Sequence, residues 1–493
     1  MGTSPDTAAE KSSPSAVPNI VDSCLDEANP TTEEDSTECL PQNWSESRKL
    51  IIVGTISCLS LVVNMSLVIC APATLAIAHD LNTNNNFLLV FYLTAPNLGE
   101  AIAPLYIGPL SEKFGRLPIC HIFNTIFLIF TLVTGFSSNI NMIVAFRFLA
   151  GASTSSICLN PSIIGDLYPV KNRGAAMSVM SLIPILGSAA GPIAGGYITQ
   201  GLNWRWTFWL SAMMTGVLLL FSLCVMRETY LPVLRQKENN EKISSRSKYF
   251  KGWNWSTFKG LFLLAIRPFT ILFGSSVAII MACYLSIHYA YLSLLAATLA
   301  TTFQDAYGFS ESHSGLIYIS LTLGTLIGAI YCRFTLDYFL YRGLSTRKPA
   351  PTGTDDQPLP ENRLIPTIPG MALFPAGLFI YGWSLQHHVH WIVPTLATSL
   401  CGFSLASSTT PIMNYLVDIF GDRSASAVAA VLPMRYLVGT FLPVAAPYMY
   451  KSLGYGWANS LLAFILLVIV PFPLLAIVQP KVISSMHRMK SNK

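Results

Sequence analysis

Three charged side chains stand inside long apolar stretches of this 493-residue chain: Glu100, Arg147 and Arg435. A charge in hydrocarbon costs at least about 2.5 to 3.5 kcal/mol, so such a residue is expected to be paired or to serve a function. A carboxyl group there can take up and release a proton, and a guanidinium can hold a counter-charge. These residues predict proton coupling or a charged cavity.

A second group of charges lies in the segment Gly108–Pro118, which joins two long apolar runs. Glu112 and Arg116 fall within these few residues, where water meets lipid. Gly115 can supply a positive φ in the turn, and Gly108 lets another helix approach closely. Charges at such a position can latch a moving part, so we predict a conformational latch here.

The composition is that of an integral membrane protein. Of the residues, 52% are hydrophobic and only 11% are charged, against roughly 25% charged residues in a soluble domain. The ten cysteines are scattered without a Cys-x-x-Cys pair, so neither a disulfide framework nor a metal site is indicated. The sequence has no basic stripe that would indicate nucleic-acid binding and no phosphate-binding loop that would indicate an ATP site. Since no nucleophile, base or metal set converges at one level, we do not expect an enzyme.

Apolar runs of about 20 residues, each long enough to cross roughly 30 Å of hydrocarbon as a helix, recur along the chain. We predict twelve spans, near Leu50–Pro72, Phe87–Gly108, Pro118–Phe136, Asn141–Gly165, Gly174–Ile198, Thr207–Met226, Pro268–Phe303, Ser314–Leu340, Pro366–Leu385, Trp391–Val417, Ala425–Tyr450 and Trp457–Val478. The seventh run is too long for one straight span and too short for two. We predict one helix there, kinked or extended into the interface.

The positions of Lys and Arg predict the orientation, because cytoplasmic loops collect basic residues. With the N-terminus inside, only Arg205 and Lys451 fall in outer loops, while Arg147 and Arg435 lie within spans. All other Lys and Arg residues then lie on the inner side, and splitting the seventh span would destroy this bias. We therefore predict that both termini are cytoplasmic.

The predicted organisation is two six-helix halves, residues 50–226 and 268–480, with the substrate site between them at mid-membrane. Residues 1–49 are polar and lack an apolar period, so we predict a disordered cytoplasmic tail. Residues 227–267 form a basic cytoplasmic linker that we expect to set topology and face lipid. Residues 481–493 are predicted to be a cytoplasmic C-terminal tail.

Span 5 carries three glycines at a spacing of four: Gly187, Gly191 and Gly195. They lie on one helix face, where missing side chains let another helix approach. Pro192 removes an internal hydrogen bond and permits a bend. Tight packing alone explains this spacing as well as a functional role does.

Spans 2 and 11 place Glu100 and Arg435 at similar depths. Glu100 lies roughly 20 Å from the outer end of its span and Arg435 roughly 18 Å from the inner end of its own. Across a core of about 30 Å, the two levels differ by less than about 10 Å. Arg147 lies only about 9 Å below the outer surface, which makes it a less suitable partner for Glu100.

Three residues of the second half are candidates for substrate contact: His288, Tyr284 and Tyr318. Aromatic and imidazole rings can line a cavity for organic compounds. Packing in the core explains them at least as well.

Several motifs, in order and at the expected spans, resemble those of the major facilitator superfamily: Gly108-x-Leu110-x-Glu112-Lys113-x-Gly115-Arg116, Arg147-x-x-x-Gly151, and Gly187-x-x-x-Gly191-Pro192-x-x-Gly195-Gly196. Further features are similar to the fungal twelve-span drug:proton antiporter branch: Ala71-Pro72-Ala73, Trp204-Arg-Trp-x-Phe208, Glu228-Thr-Tyr-x-Pro232-x-Leu234 and Arg435. The chain departs from that branch in the residues after Leu234, in Ala103, where the branch usually has Gly, and in two further features. Glu100 occupies a position that is usually uncharged, and the second half has only a faint echo of the loop motif, in Arg333 to Asp337.

The resemblance implies an all-α membrane protein of twelve transmembrane helices in two pseudo-symmetric halves. It implies that Arg116 meets Asp166, which faces the negative end of its own helix dipole and so needs a cation. An ordinary solvated loop charge is the alternative for Asp166. It also implies that the face of Gly187 to Gly196 lies between the halves and limits leak.

Spans 2 and 11 are neighbours in that fold, so we predict that Glu100 and Arg435 pair and that protonation of Glu100 breaks the pair during transport. A static structural bridge is the alternative. For Arg147 the resemblance implies proton coupling or cavity electrostatics, with simple helix packing as the alternative.

The sequence therefore predicts a proton-coupled exporter that works by alternating access, driven by the proton gradient without a cofactor. Its expected partners are a small, mostly apolar organic substrate, protons and membrane lipids. That substrate is a drug-like toxin or a secondary metabolite of the same cell. We expect a monomer in the plasma membrane, with the vacuolar membrane as the alternative.

Two other functions remain open at this point. One is a polyamine or organic-acid carrier of the same fold, the latter using Arg147 and Arg435. The other is a transporter-like sensor without net flux.

Overall fold

The computed structural model describes residues 41–169, 173–234, 274–345, 360–420 and 424–473. Within these ranges the chain forms helices joined by short turns, and no strand is present. Residues 1–40, most of the predicted linker and the tail 481–493 lie outside the described residues, so the predictions for them stay predictions.

Six spans make up each half. In the first half they are Glu46–Val68, Asn86–Phe114, Arg116–Thr134, Ile140–Ala152 with Ser156–Leu167, Arg173–Gly201, and Arg205–Val225; a short helix, Thr74–Asp80, follows span 1. In the second half they are Ser276–Tyr307, Glu311–Leu316 with Tyr318–Ser345, Thr367–Gln386, Ile392–Phe420, Ser424–Phe441, and the main part of Ala446–Ile469. The 3-10 turns Pro360–Leu364 and Leu442–Ala445 precede span 9 and follow span 11.

The lengths and apolar character of these helices fit a membrane protein. Among the described residues, 10 stretches are long and apolar enough to cross a membrane, and one of them, Ala430–Pro473, contains most of span 11 and all of span 12. Span 4 contributes a shorter apolar helix, Ile140–Ala152. The prediction of a single helix for span 7 is confirmed, since Ser276–Tyr307 is one helix of 32 residues.

Span 4 is not the single helix that was predicted. It is interrupted between Ala152 and Ser156. The Ser155 hydroxyl donates to Asn124 Oδ1 over 3.0 Å, and the Ser153 hydroxyl donates to the carbonyl of Leu149 over 2.8 Å. Ser and Thr side chains compete in this way with the helical backbone, which explains a break within Ser-Thr-Ser.

The boundary between spans 11 and 12 also differs from the prediction. Span 11 ends at Phe441 rather than near Tyr450. Pro443 lies just after this end and cannot donate a helical N–H. The following helix is kinked at Gly454, whose φ is 73°. Span 12 therefore begins just after this glycine.

The helices pack in the same pairs in both halves. In the first half, span 1 packs on span 5, span 2 on span 4, and span 3 on span 6. In the second half, the corresponding pairs are spans 7 and 11, spans 8 and 10, and spans 9 and 12. Between the halves, span 2 packs on span 11 and span 5 on span 8. The fold is therefore all-α with two pseudo-symmetric halves, as predicted.

The two ends of the bundle are distinguished here by their loops. We call the end that holds Gly115, between spans 2 and 3, the motif face. The opposite end, which holds Asp80 and the start of span 2 at Asn86, is the far face.

Spans 2 and 4 approach each other through two glycines. A Cβ added at Gly99 would collide with the backbone of Phe148 to Ala152, and one added at Gly151 would collide with the backbone of Pro96. Small residues allow such close backbone contact in membrane helices. This contact explains the glycine of the Arg147-x-x-x-Gly151 motif.

We predict that Gly99→Ala destabilises the fold by about 1–3 kcal/mol, because the new methyl group must push two backbones apart. Thermal unfolding of the detergent-solubilised protein measures this. Gly54→Ala is the matched control, since a Cβ there meets nothing within 4 Å. An equal effect of both changes would contradict the packing argument.

Candidate functional site

The latch predicted at the motif face is centred on Arg116. Its Nε lies 3.4 Å from Asp166 Oδ2, and its Nη1 donates to the Ser111 hydroxyl over 2.6 Å. The guanidinium also lies 4.7 Å from the ring centre of Tyr230. Arg116 is 8% exposed. The predicted contact with Asp166 is thus present, while its role in the transport cycle stays a prediction.

The sequence did not identify Glu228 as part of this site. Its carboxylate accepts hydrogen bonds from the backbone N–H groups of Arg116, at 2.9 Å, and Leu117, at 3.2 Å. These are the first residues of span 3, where unpaired N–H groups and the helix dipole favour an anion. The Glu228-Thr-Tyr motif was visible in the sequence, but no local pattern links it to a turn more than 100 residues earlier.

Glycine is required at position 115 for two reasons. Its φ is 99°, a conformation that other residues rarely adopt. An added Cβ would also collide with the Glu228 carboxylate. The expectation for Gly108 is wrong, because a Cβ there meets nothing within 4 Å in the described structure. Glu112 is exposed on the motif face.

A similar ion pair is present in the second half. Arg363 Nε contacts Asp418 Oδ2, joining the turn before span 9 to the end of span 10. This position corresponds to that of Arg116 and Asp166 in the first half. The faint echo of the motif at Arg333 to Asp337 is elsewhere in the chain, and the Asp337 side chain lies outside the described residues.

Arg147 is bonded to backbone carbonyl groups. Its Nε donates to Tyr92 O over 3.0 Å and its Nη1 to Ser66 O over 3.1 Å, while its Nη2 donates to Leu67 O. Ser66 and Leu67 belong to the last turn of span 1, whose carbonyls have no helical partner. The geometry fits the packing alternative, in which Arg147 joins spans 1, 2 and 4.

The glycines of span 5 divide between two neighbours. A Cβ at Gly187, Gly191 or Gly195 would meet the backbone of span 1, so this face lies within the first half. Its predicted location between the halves is wrong. The contact of span 5 with the second half is made instead by Gly196, which contacts Glu311 of span 8, and by Pro192, which contacts Gly315.

Glu100 and Arg435 lie in the same region but do not form the predicted pair. Glu100 is 4% exposed and lies within the electrostatic reach of Arg435. No ion pair within 4.0 Å joins them in the described structure. The Arg435 guanidinium instead lies 4.3 Å from the ring centre of Tyr289, a cation–π contact. Similar depth alone did not bring the two side chains into contact, because contact also depends on the rotation of each helix.

The two halves are joined between the level of Glu100 and the far face. The Thr94 hydroxyl donates to the carbonyl of Thr440 over 2.9 Å, and Phe91 stacks on Phe441 with ring centres 6.1 Å apart. Gln304 donates to the carbonyl of Pro72 over 3.1 Å. Between Glu100 and the motif face, no hydrogen bond or ring contact joins span 2 to span 11 in the ranges that the structure describes. The bundle is therefore closed toward the far face.

The three candidate substrate contacts have partners within the second half. His288 stacks on Phe374 with ring centres 4.3 Å apart, and its Nε2 lies 3.3 Å from the Ser404 hydroxyl. Tyr284 shares a hydrogen bond with Ser408 over 3.3 Å. Tyr318 donates to the carbonyl of Ala296 over 2.6 Å. All three are buried, which fits the packing alternative.

A charged cluster at the far face explains the Trp204-Arg-Trp motif. Asp80 accepts hydrogen bonds from Arg205 Nη1 and, over 3.0 Å, from Trp204 Nε1. Arg205 also lies over the Trp204 ring at 4.3 Å. The hydrogen bond from Arg205, followed by that from Trp204, lowers the pKa of the Asp80 carboxyl below its usual 3.8.

The comparisons with known proteins agree with this fold. The family described as Major Facilitator Superfamily matches residues 55–443. Two similar proteins are the efflux pump radE of Floropilus chiversii, 37% identical over 88% of this chain and 80% of its own, and the MFS transporter cpaT of Aspergillus oryzae, 37% identical over 90% of each chain. Among solved structures, a D-xylose-proton symporter superposes with a TM-score of 0.63 at 18% identity, covering 86% of this chain and 98% of its own.

The fold and these relatives define a multi-pass membrane transporter rather than an enzyme. The chain belongs to the Major Facilitator Superfamily. The predictions of a membrane transporter and of this family are both confirmed.

We predict that Asp80→Asn lowers the thermal stability by roughly 1–3 °C at pH 7, the modest effect of a partly exposed ion pair. Because the folded-state pKa is depressed, the stabilisation is present above the unfolded value and is lost as the pH falls through the folded value. Unfolding temperatures of wild type and variant should therefore converge well below pH 3.8. A difference that persisted at low pH would contradict this account.

Proposed function

We propose that this chain exports small organic compounds, either drug-like toxins or secondary metabolites, in exchange for protons. The relative named an efflux pump supports the direction of transport. The observation that carries the proposal is Glu100: a buried acid at the contact between the halves, with no hydrogen bond or ion pair in the described structure and with Arg435 nearby. Such an acid within a membrane is a candidate proton carrier.

In the proposed cycle the motif face is cytoplasmic, so the conformation closed at the far face is inward-facing. Ionised Glu100 attracts Arg435 and favours contact between spans 2 and 11. Protonation removes this attraction and lets the far face open. Tyr289 is the other titratable group acting near Glu100, while Arg147 is occupied by backbone carbonyls.

The cluster around Arg116 and Glu228 is proposed to keep the motif-face ends of spans 2, 3 and 4 together while the halves rock. Asp166 and Ser111 bind the Arg116 side chain, and Glu228 binds the start of span 3. These contacts join the ends of several helices of one half. The cluster is thus suited to transmit movement rather than to bind substrate.

The contacts of Arg147 weaken the organic-acid alternative. A carrier of that type would use Arg147 and Arg435 to bind carboxylates, but the Arg147 nitrogens are already bonded to three carbonyl groups. We propose a monomer in the plasma membrane with cytoplasmic termini, driven by the proton gradient without a cofactor.

We predict that Glu100→Gln reduces proton-driven export at least about tenfold, because the amide cannot exchange a proton, which corresponds to about 1.4 kcal/mol or more in the rate. Export of neutral aromatic dyes, Nile red among them, is measured from yeast cells lacking their own drug exporters, with and without a protonophore. Exchange of dye for dye across a vesicle membrane without a gradient should persist in the variant.

Asp305→Asn is the matched control, because it removes another acid on a membrane helix and should leave export near the wild-type rate. Full coupling in Glu100→Gln would exclude Glu100 from the mechanism. Export by the wild type that is insensitive to the protonophore, or no export of any dye, would contradict the proposed function.

We predict that Arg116→Ala reduces turnover about tenfold with substrate affinity changed by less than about twofold, because the cluster lies away from the contact between the halves. Export rate and dye binding to purified protein are measured separately. Lys113→Ala, which removes an exposed charge of the same loop, is the control. A collapse of affinity with normal turnover would show that the latch interpretation is wrong.

A further inference from the structure

Neither the buried Glu100 side chain nor the buried Nε atom of Arg435 has a hydrogen-bond partner in the part of the chain that the structure describes. Glu100 makes no hydrogen bond or ion pair among the residues that the structure describes, although it is 4% exposed. Arg435 Nε is buried without a hydrogen-bond partner in the same part of the chain. A buried charge without hydrogen bonds is costly. A group that supplies bonds to both side chains would therefore be bound favourably here.

The separation of the two side chains restricts what that group can be. Their charges interact, but their nitrogen and oxygen atoms are more than 4.0 Å apart. A group between them must donate a hydrogen bond to the carboxylate of Glu100 and accept one from the guanidinium of Arg435. A hydroxyl does both, whereas an ammonium group only donates and a carboxylate or ether only accepts.

Charge selects against ions at the same position. An ammonium group placed between the side chains would be repelled by Arg435, and a carboxylate would be repelled by Glu100. A neutral hydroxyl avoids both repulsions.

The surroundings favour a substrate that carries a ring. Tyr289 lies under the Arg435 guanidinium, and Tyr436 meets Tyr289 edge-on with ring centres 5.5 Å apart. Aromatic rings of this kind pack well against other rings. The neighbouring Ser293 is already bonded to the carbonyl of Gly439 over 2.9 Å, so its hydroxyl does not satisfy Glu100 or Arg435.

We infer that this site binds neutral ring compounds that carry a hydroxyl group, phenols or ring alcohols, with the hydroxyl bridging Glu100 and Arg435. The inference deepens the proposed function by naming the substrate class of the same site, and it rests on that proposal. The bridging hydroxyl would separate the two charges and weaken their attraction, as protonation of Glu100 does.

The test is binding of four naphthalene probes to the purified full-length protein in detergent at pH 7, by equilibrium dialysis against protein-free micelles. The probes are 2-naphthol, 2-methoxynaphthalene, 2-naphthoate and 2-(aminomethyl)naphthalene. We expect 2-naphthol to bind at least about tenfold more tightly than each of the others, a difference of about 1.4 kcal/mol. Equal binding of the methyl ether, tighter binding of either ion, or no binding of any probe at millimolar concentration would overturn the inference.

Variants test whether the preference depends on Glu100. Glu100→Leu should abolish the preference for the hydroxyl over the methyl ether, and Glu100→Gln, which keeps size and polarity, should reduce it to less than about threefold. Asp305→Asn should retain the wild-type preference. Size-exclusion chromatography confirms folding of each variant. An undiminished preference in Glu100→Gln would overturn the inference even if Glu100→Leu failed to fold.

The binding assay uses no proton gradient, so it separates the two proposals. A hydroxyl preference that depends on Glu100, together with gradient-independent transport, would retain this inference and contradict proton coupling. Proton-coupled export without that preference would retain the proposed function and contradict the inference.

Discussion

A charged group inside hydrocarbon has to find polar partners within the protein, and three arginines of this chain do so to different degrees. Arg147 binds three backbone carbonyls and fixes the end of span 1 to spans 2 and 4. Arg116 is held by side chains at the motif face. The Arg435 guanidinium contacts mainly the ring of Tyr289 and interacts with the charge of Glu100. The least satisfied of these charges therefore lies where the two halves meet.

Packing within a half differs in kind from packing between the halves. Spans 1 and 5 meet through Gly187, Gly191 and Gly195, with backbone against backbone. Contacts of this type tolerate little displacement, because interiors are closely packed. Spans 2 and 11 are joined instead by side-chain contacts such as Thr94 with Thr440. Such hydrogen bonds can be exchanged for others, so the halves are suited to move as units.

The sequence predicted what depends on local pattern. Apolar length predicted the spans, and motif and topology together predicted that Arg116 meets Asp166. The contacts that it did not predict depend on tertiary geometry. The carboxylate of Glu228 reaches span 3 across more than 100 residues, and Arg147 binds carbonyl groups, which no residue type reveals. Predicting the stacking of Arg435 on Tyr289 would likewise have required the rotation of each helix, because similar depth alone does not bring two side chains into contact.

The incomplete pairing of Glu100 and Arg435 is the physical basis of the proposed proton coupling. A tight, fully hydrogen-bonded ion pair would be expensive to break and would hold the halves in one conformation. Charges that attract each other without direct contact stabilise the far-face closure more weakly. In the proposed cycle, a proton on Glu100 or a substrate hydroxyl between the two side chains relieves that attraction, whereas the empty, ionised transporter retains it. Because the attraction acts only while the far face is closed, the proposed cycle holds the empty, ionised transporter inward-facing until a proton or a substrate binds.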